Sequence, residues 1–104
     1  MAQFDLYRNQ NPRTRDLVPY LLDVQADFLD RLKTRVVIPV MRVADVGKPA
    51  RHLNPVFEID GDAMMLITPE LAGVSVVTLG QKVASLEDRR DEIIAALDFL
   101  LTGV

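Results

Sequence analysis

The residue types that do chemistry are sparse in this sequence, and their spacing joins none of them into a set. There is one histidine, His52, in a stretch that follows Gly47 and Pro49 and reads as a loop. A lone loop histidine is an ordinary solvated side chain, and no Ser–His–Asp or Cys–His combination can be assembled around it. Asp27 and Asp30 flank Phe28 and Leu29, but two aspartates in a polar turn read as solvated. The run EDRRDE, residues 87–92, reads as a solvated face with acids near the positive start of a helix. The five glycines are scattered singly, so no loop could cradle a phosphate. With no cysteine, both a disulfide framework and a thiolate metal site are excluded. No carboxylate or histidine cluster has metal-ligand spacing, and no cofactor is implied.

The composition frames that reading. A chain of 104 residues is one domain by size. Hydrophobic residues are 49% and charged residues 26%, as in ordinary soluble globular proteins. The net charge of -3 argues against a free-standing nucleic-acid binder, which carries a basic excess. No secretory segment opens the chain, and no apolar run approaches the ~20 residues of a membrane span. A cytoplasmic single domain is expected. A core this small leaves room for a partner subunit to bury more surface.

The elements that must position any site read mostly as strands. AQFDLY alternates, with Phe4 and Leu6 on one side, the mark of a half-buried strand. RNQNPRTRD, residues 8–16, is polar and turn-rich and carries Arg8, Arg13 and Arg15; it reads as a surface loop. A second strand is expected over 17–25, with Pro19 at an edge or bulge. ADFLDRLK looks too short for a packed helix. TRVVIPVMRV, residues 34–43, is the most apolar segment and suits a strand covered on both faces, with a bulge or bend at Pro39. Residues 44–53 read as a second surface loop. Val56–Ile59 and Met64–Ile67 flank Asp60-Gly61, a hairpin turn signal. Met64 and Met65 then belong to a core or a dimer seam. VSVVTLG, residues 74–80, alternates as a final strand.

From Ser85 the period changes. Ser85 and Asp88 resemble a capping box, and Leu86, Ile93, Ile94, Leu97, Leu100, Leu101 and Val104 fall on one helical stripe. Strands followed by one terminal helix predict an α+β domain, a curved antiparallel sheet or small barrel with the helix lying on it. Phe99, beside Ala95 and Ala96, falls outside the stripe. The last helical turns thus carry apolar groups on two faces, and no internal element remains to cover the second. An incidentally exposed Phe, a homodimer partner and a functional binding surface all fit that pattern.

Several stretches together resemble the CcdB family of gyrase-poisoning toxins, and they run from end to end. These are the opening QF strand with its Tyr and Arg-containing loop, DVQAD at 23–27, RVVIPV at 35–40 and VASLEDRRDEIIAALDFLLTGV with its final Gly and β-branched residue. The resemblance implies a small SH3-like antiparallel β-barrel with a C-terminal α-helix, shared with the MazF and Kid ribonuclease toxins. It implies a homodimer, without catalytic activity, that binds the A subunit of DNA gyrase and traps cleaved DNA. It also implies a CcdA-like antitoxin that releases the toxin and joins it in repressing their operon, so that DNA is met only through gyrase or the antitoxin.

Matched position by position, the resemblance places gyrase contacts on Phe4, Phe28, Leu29, Asp98, Leu101, Thr102, Gly103 and Val104. Thr102 stands where the best-known members carry a Trp, removing a cation–π contact of about 1 kcal/mol. Asp98 stands where an Asn is familiar. The resemblance points the antitoxin to the loops at 8–15 and 41–51 and to a groove near Phe28. There Arg8, Arg13, Arg15, Arg42 and Arg51 would suit an acidic tail that folds on binding; ordinary solubilising charges are the other reading. A MazF- or Kid-like ribonuclease on the same fold is the alternative, and it would need a basic groove and an acid–base pair. A small non-toxic dimerisation module is a third reading.

Overall fold

The chain is seen in a computed structural model that describes residues 1–103; the Val104 expectation lies outside the described residues. The hairpin is the most local feature and forms as read. Strands β4 (Val56–Ile59) and β5 (Asp62–Leu66) pair across Asp60 and Gly61, whose φ angles are +52° and +84°. Both central residues of such a turn need positive φ, which Gly adopts freely and Asp tolerates.

The remaining strands are β1 (Asp5–Asn9), β2 (Tyr20–Asp23), β3 (Thr34–Arg42), β6 (Ala72–Ser75) and β7 (Leu79–Ser85). They form one curled antiparallel sheet in the order β4-β5-β3-β2-β1-β7, with β6 also on β3. Helix α2 (Arg90–Thr102) closes it, giving the expected α+β half-barrel with a C-terminal helix. No helix among the described residues is long and apolar enough to cross a membrane.

Strand β3 is long enough to serve two partners on one edge. Its first half pairs with β6 (Thr34↔Ser75 to Val37↔Ala72) and its second with β5 (Val40↔Leu66 to Arg42↔Met64). Pro39 sits at the change of partner. Its carbonyl accepts from the Ile67 N–H at 2.9 Å, so its missing donor faces the gap between β6 and β5, where no ladder bond is needed. The expected bulge or bend at Pro39 is absent: the β2–β3 register runs evenly through Leu21↔Pro39.

Alternation makes the two faces of the sheet. Leu6, Leu22, Ile38, Val40, Met64 and Leu66 point to the main core with Phe57, Leu86 and Ile93. Tyr7, Leu21, Val37 and Leu79 form a second cluster on the opposite face. The centre of the sheet is thus covered on both faces, as the Val36–Ile38 run predicts. Met64 and Met65 are both buried.

Four expectations need correction. The second strand is shorter than 17–25 and covers Tyr20–Asp23: Leu17 ends the preceding turns, and Val24 and Gln25 lie past the strand's last residue. The 44–53 loop opens with one turn of helix, α1 (Val43–Val46). The final strand is really two, separated by a 3-10 turn at Val76–Thr78 whose Val77 N–H donates to Ser75 Oγ; this turn carries the chain from β3 to the far side of β1. Ser85 does not cap α2: it ends β7, its Oγ accepts from Glu87 N–H, and a 3-10 turn (Glu87–Arg89) precedes the helix. The helix is set by burial of Ile93 and Ala96, with Ile94 and Leu97 packed behind. Burying one such aliphatic side chain is worth about 1.5–3 kcal/mol.

Candidate functional site

The end of α2 stands free. Leu101 is 73% exposed although the helical period places it on the apolar stripe; the stripe outruns the sheet beneath it. Asp98, Thr102 and Gly103 are exposed beside it. Gly103 adopts φ +77° and donates its N–H to Phe99 O at 2.9 Å, the left-handed ending that glycine accepts without strain. The Thr102 hydroxyl donates to Asp98 O at 2.7 Å. That bond holds it against its own helix, so Thr102 offers a visitor little beyond its methyl group.

Phe99 corrects an expectation. Its face of the helix is met from within the protomer by the segment after α1: the His52 ring lies 5.4 Å from the Phe99 ring, tilted by 47°. His52 reaches this place through a left-handed backbone, φ +73°. Together with Pro49, Pro55 and Ala95 they wall a groove of about 510 Å³. Phe99 is half-buried rather than free.

A second apolar point comes from the β2–β3 connection. A 3-10 turn (Asp27–Leu29) presents Phe28 at 84% exposure, with Leu29 and Leu32 beside it, also exposed. No hydrogen bond among the described residues joins this turn to the end of α2. Phe4, assigned to the same surface by resemblance, lies in the core at 2% exposure. It takes φ +71°, unusual for an aromatic residue. It is pinned by Phe4 N–H to Asp23 O at 2.6 Å and by Leu86 N–H to Phe4 O at 2.8 Å, with Arg90 over its ring at 5.9 Å. It joins β2 to the entrance of α2.

The five candidate arginines do not form one patch. Arg8, Arg15 and Arg42 converge on a groove of about 490 Å³ that also contains Asp16 and Gln81. Arg42 donates to Asp16 O at 3.2 Å and stands 3.7 Å from Asp45, while Arg8 lies over the Tyr20 ring at 6.0 Å. Arg13 is exposed in the neighbouring turn and does not line this groove; Arg51 lines the groove beside Phe99 instead.

A buried polar network carries no role in the sequence reading. Arg35 and Asp23 have fully buried side chains, with Nη2 and Nε at 2.7 and 2.8 Å from Asp23 Oδ2. Gln25 N–H donates to Asp23 Oδ1 at 2.9 Å, and Val36 N–H donates to Gln25 Oε1 at 3.0 Å. Burial pushes the Asp23 carboxyl above the usual carboxylate range, against the pull of Arg35 and the Gln25 N–H. Tyr7 and Asp5 continue the same sheet face. Burial, and then the Asp5 charge, push the Tyr7 phenol up to about 12, and Lys82 reaches Asp5 Oδ1 at 3.2 Å. The signal was present in the period: Asp23 and Arg35 each lie two residues from a buried apolar neighbour, Leu21 and Val37, and so share its face.

The candidate site combines two of the molecule's exposed apolar points, at Leu101 and Phe28, with a three-arginine groove. Among the described residues, no cluster of His, Asp or Glu stands ready to hold a metal. A family model described as CcdB protein matches residues 3–103 of the 104-residue chain. That match spans every strand and both helices, and the chain accordingly belongs to the CcdB family, whose members are the toxins of toxin–antitoxin pairs.

Proposed function

We propose that this protein binds the A subunit of DNA gyrase and traps the enzyme on cleaved DNA, with no catalysis of its own. The end of α2 makes the contact, through Asp98, Leu101, Thr102 and Gly103, continuing to Val104. Phe28 and Leu29 add a second apolar contact. The observation that carries this reading is Leu101, a large apolar side chain held in water at 73% exposure on the last turn of a well-packed helix. Burying it on a partner would contribute about 1.5–3 kcal/mol. Asp98 beside it suits a basic group on that partner.

A homodimer would present both helix ends to a two-fold symmetric target. A cognate antitoxin with an acidic, partly disordered tail would neutralise the toxin in the cytoplasm and join it in repressing their operon. Arg8, Arg15 and Arg42 would receive that tail, with Arg13 and Arg51 flanking it. The three-arginine groove with Asp16 is also where the ribonuclease alternative would find the basic groove it requires.

One experiment separates these readings. Purified protein is mixed with gyrase, supercoiled DNA and ATP, and in parallel with RNA. Stabilised double-strand DNA breaks without RNA cleavage are expected, and Leu101→Glu should abolish them with the fold intact. RNA cleavage alone would replace the poison by a ribonuclease, and neither activity would leave a non-toxic dimerisation module.

A further inference from the structure

The turn that presents Phe28 has little apolar packing to hold it, the partly covered Leu29 at 37% exposure being its most sheltered apolar side chain. Every residue from Asp27 to Thr34 is exposed, and none of the turn's own side chains is buried. A turn without packing is ordinarily among the first segments to open. This one is tied down from below by polar side chains rooted in the sheet. Gln25 Nε2 donates to Leu29 O at 3.1 Å and to Thr34 O at 3.3 Å, so one amide grips both ends of the connection. Arg35 Nη1 reaches the same Leu29 carbonyl at 3.4 Å, and Arg35 Nη2 reaches Gln25 O at 3.4 Å. Leu32 N–H also donates to Leu29 O, at 3.2 Å. Three donors therefore meet on the carbonyl that directly follows Phe28.

The strands hold the clamp rigid. Asp23 fixes the Arg35 fork through Nε and Nη2, which leaves Nη1 for the turn. Val36 N–H fixes the Gln25 oxygen and so aims its nitrogen at the two carbonyls. A planar guanidinium can serve a carboxylate and a carbonyl at once, whereas an ammonium on a flexible stem cannot hold that geometry.

We propose that Arg35 and Gln25 are positioning residues that preform the Phe28–Leu29 contact point, so that the partner meets an ordered apolar knob rather than a mobile loop. Ordering the turn in advance removes an entropy cost from binding. This inference rests on the gyrase-binding reading for its consequence, but the clamp itself is measurable in the free protein.

The test uses the full chain, wild type and the variants Gln25→Met, Arg35→Lys and Phe28→Ala. Circular dichroism and thermal melting select the variants that stay folded; Gln25→Met keeps the buried ion pair and remains available if Arg35→Lys unfolds. Amide hydrogen exchange is read across residues 27–33, and binding to the gyrase A subunit is read by titration. Both clamp variants should speed exchange of the Leu29, Asp30 and Leu32 amides by about tenfold, with Val36 following in Gln25→Met because it loses its acceptor, while the β3 amides from Val37 onward stay protected. Both should also weaken binding by about tenfold. Combining Gln25→Met with Phe28→Ala should cost clearly less than the two single losses added together, because the clamp acts through the contact point that Phe28→Ala has already diminished.

Unchanged exchange in a folded Gln25→Met variant overturns the proposal. So does faster exchange with undiminished binding, if Phe28→Ala does weaken binding. If wild-type protein fails to bind gyrase at all, the functional reading has failed, and the exchange data alone decide whether the clamp exists.

Discussion

The two exposed apolar points are held by opposite means. The end of α2 is an extension of packed structure: Ile93 and Ala96 are buried about two turns and one turn earlier, and Leu101 projects because the helix is longer than the sheet it covers. The Phe28 turn has little packing of its own and is held by polar contacts, a buried ion pair and a glutamine from below and the Gln3 N–H on Asp27 Oδ1 at its start. Hydrophobic packing is non-directional and tolerates small shifts, so the helix end should keep its place unless the whole domain loosens. Hydrogen bonds to single carbonyls are directional and fail locally. Damage to the first should therefore appear as global instability, and damage to the second as a local loosening with the domain intact.

The largest expected break is at the ion pair. Arg35→Met leaves the Asp23 carboxylate buried without its partner and should cost about 3–5 kcal/mol in urea unfolding. The paired change Asp23→Leu with Arg35→Met should recover most of that loss, because removing both charges also removes their desolvation cost. It should still leave the Phe28 turn loose to hydrogen exchange. If the pair is no more stable than the single variant, the network contributes more to stability than to placement.

Ile93→Ala should cost about 2–5 kcal/mol, and it should lower the melting temperature without a separate early loss of the 27–33 amides. Selective exchange in that turn would show that the two regions are coupled.

Tyr7 probes the polar face from the alkaline side. Its phenol titrates near 12 in the folded chain against 10 when unfolded. The stability it contributes is therefore fully present below pH 10 and is lost as the pH rises through about 12. Wild type should lose about 2 kcal/mol more than Tyr7→Phe across that interval, read as the difference between two pH–stability curves.

A smaller effect is expected at Thr68, whose buried Oγ1 has no hydrogen-bond partner among the described residues, in the turn (Thr68–Glu70) that packs against α2. Thr68→Val should raise stability by about 1 kcal/mol, measured by chemical denaturation. Phe28→Ala sits at the end of the series. It should change stability by less than about 0.5 kcal/mol while weakening gyrase binding, and a large stability loss would mean that Phe28 is packed rather than presented.

Much of this architecture is legible in local pattern. Asp60-Gly61 sets the hairpin, the Val36–Ile38 run marks a strand covered on both faces, and the 3.6-residue period from Leu86 marks the helix. Where the reading failed, a local rule met a tertiary partner. The alternation at 74–80 continues through Ser75, yet Ser75 caps a turn because β6 and β7 belong on different sides of the sheet. Phe99 reads as uncovered because residues 44–53 read as a surface loop, and nothing local says that His52 folds back onto α2. Phe4 was matched to a contact surface by position in the chain, and its burial follows from β2 and Leu86 closing around it.

The order of elements, the hairpin, the amphipathic helix and membership of the toxin family were determined by the sequence itself, because each depends on neighbours a few residues apart or on motifs kept in order. Tertiary structure alone decided that Asp23, Gln25 and Arg35 meet beneath one turn, that three of five arginines share a groove, and that Leu101 overhangs while Phe4 is enclosed. Those outcomes depend on strand register and on the curl of the sheet, which bring residues twelve or more positions apart within 3 Å of each other, and no short window of sequence contains that distance.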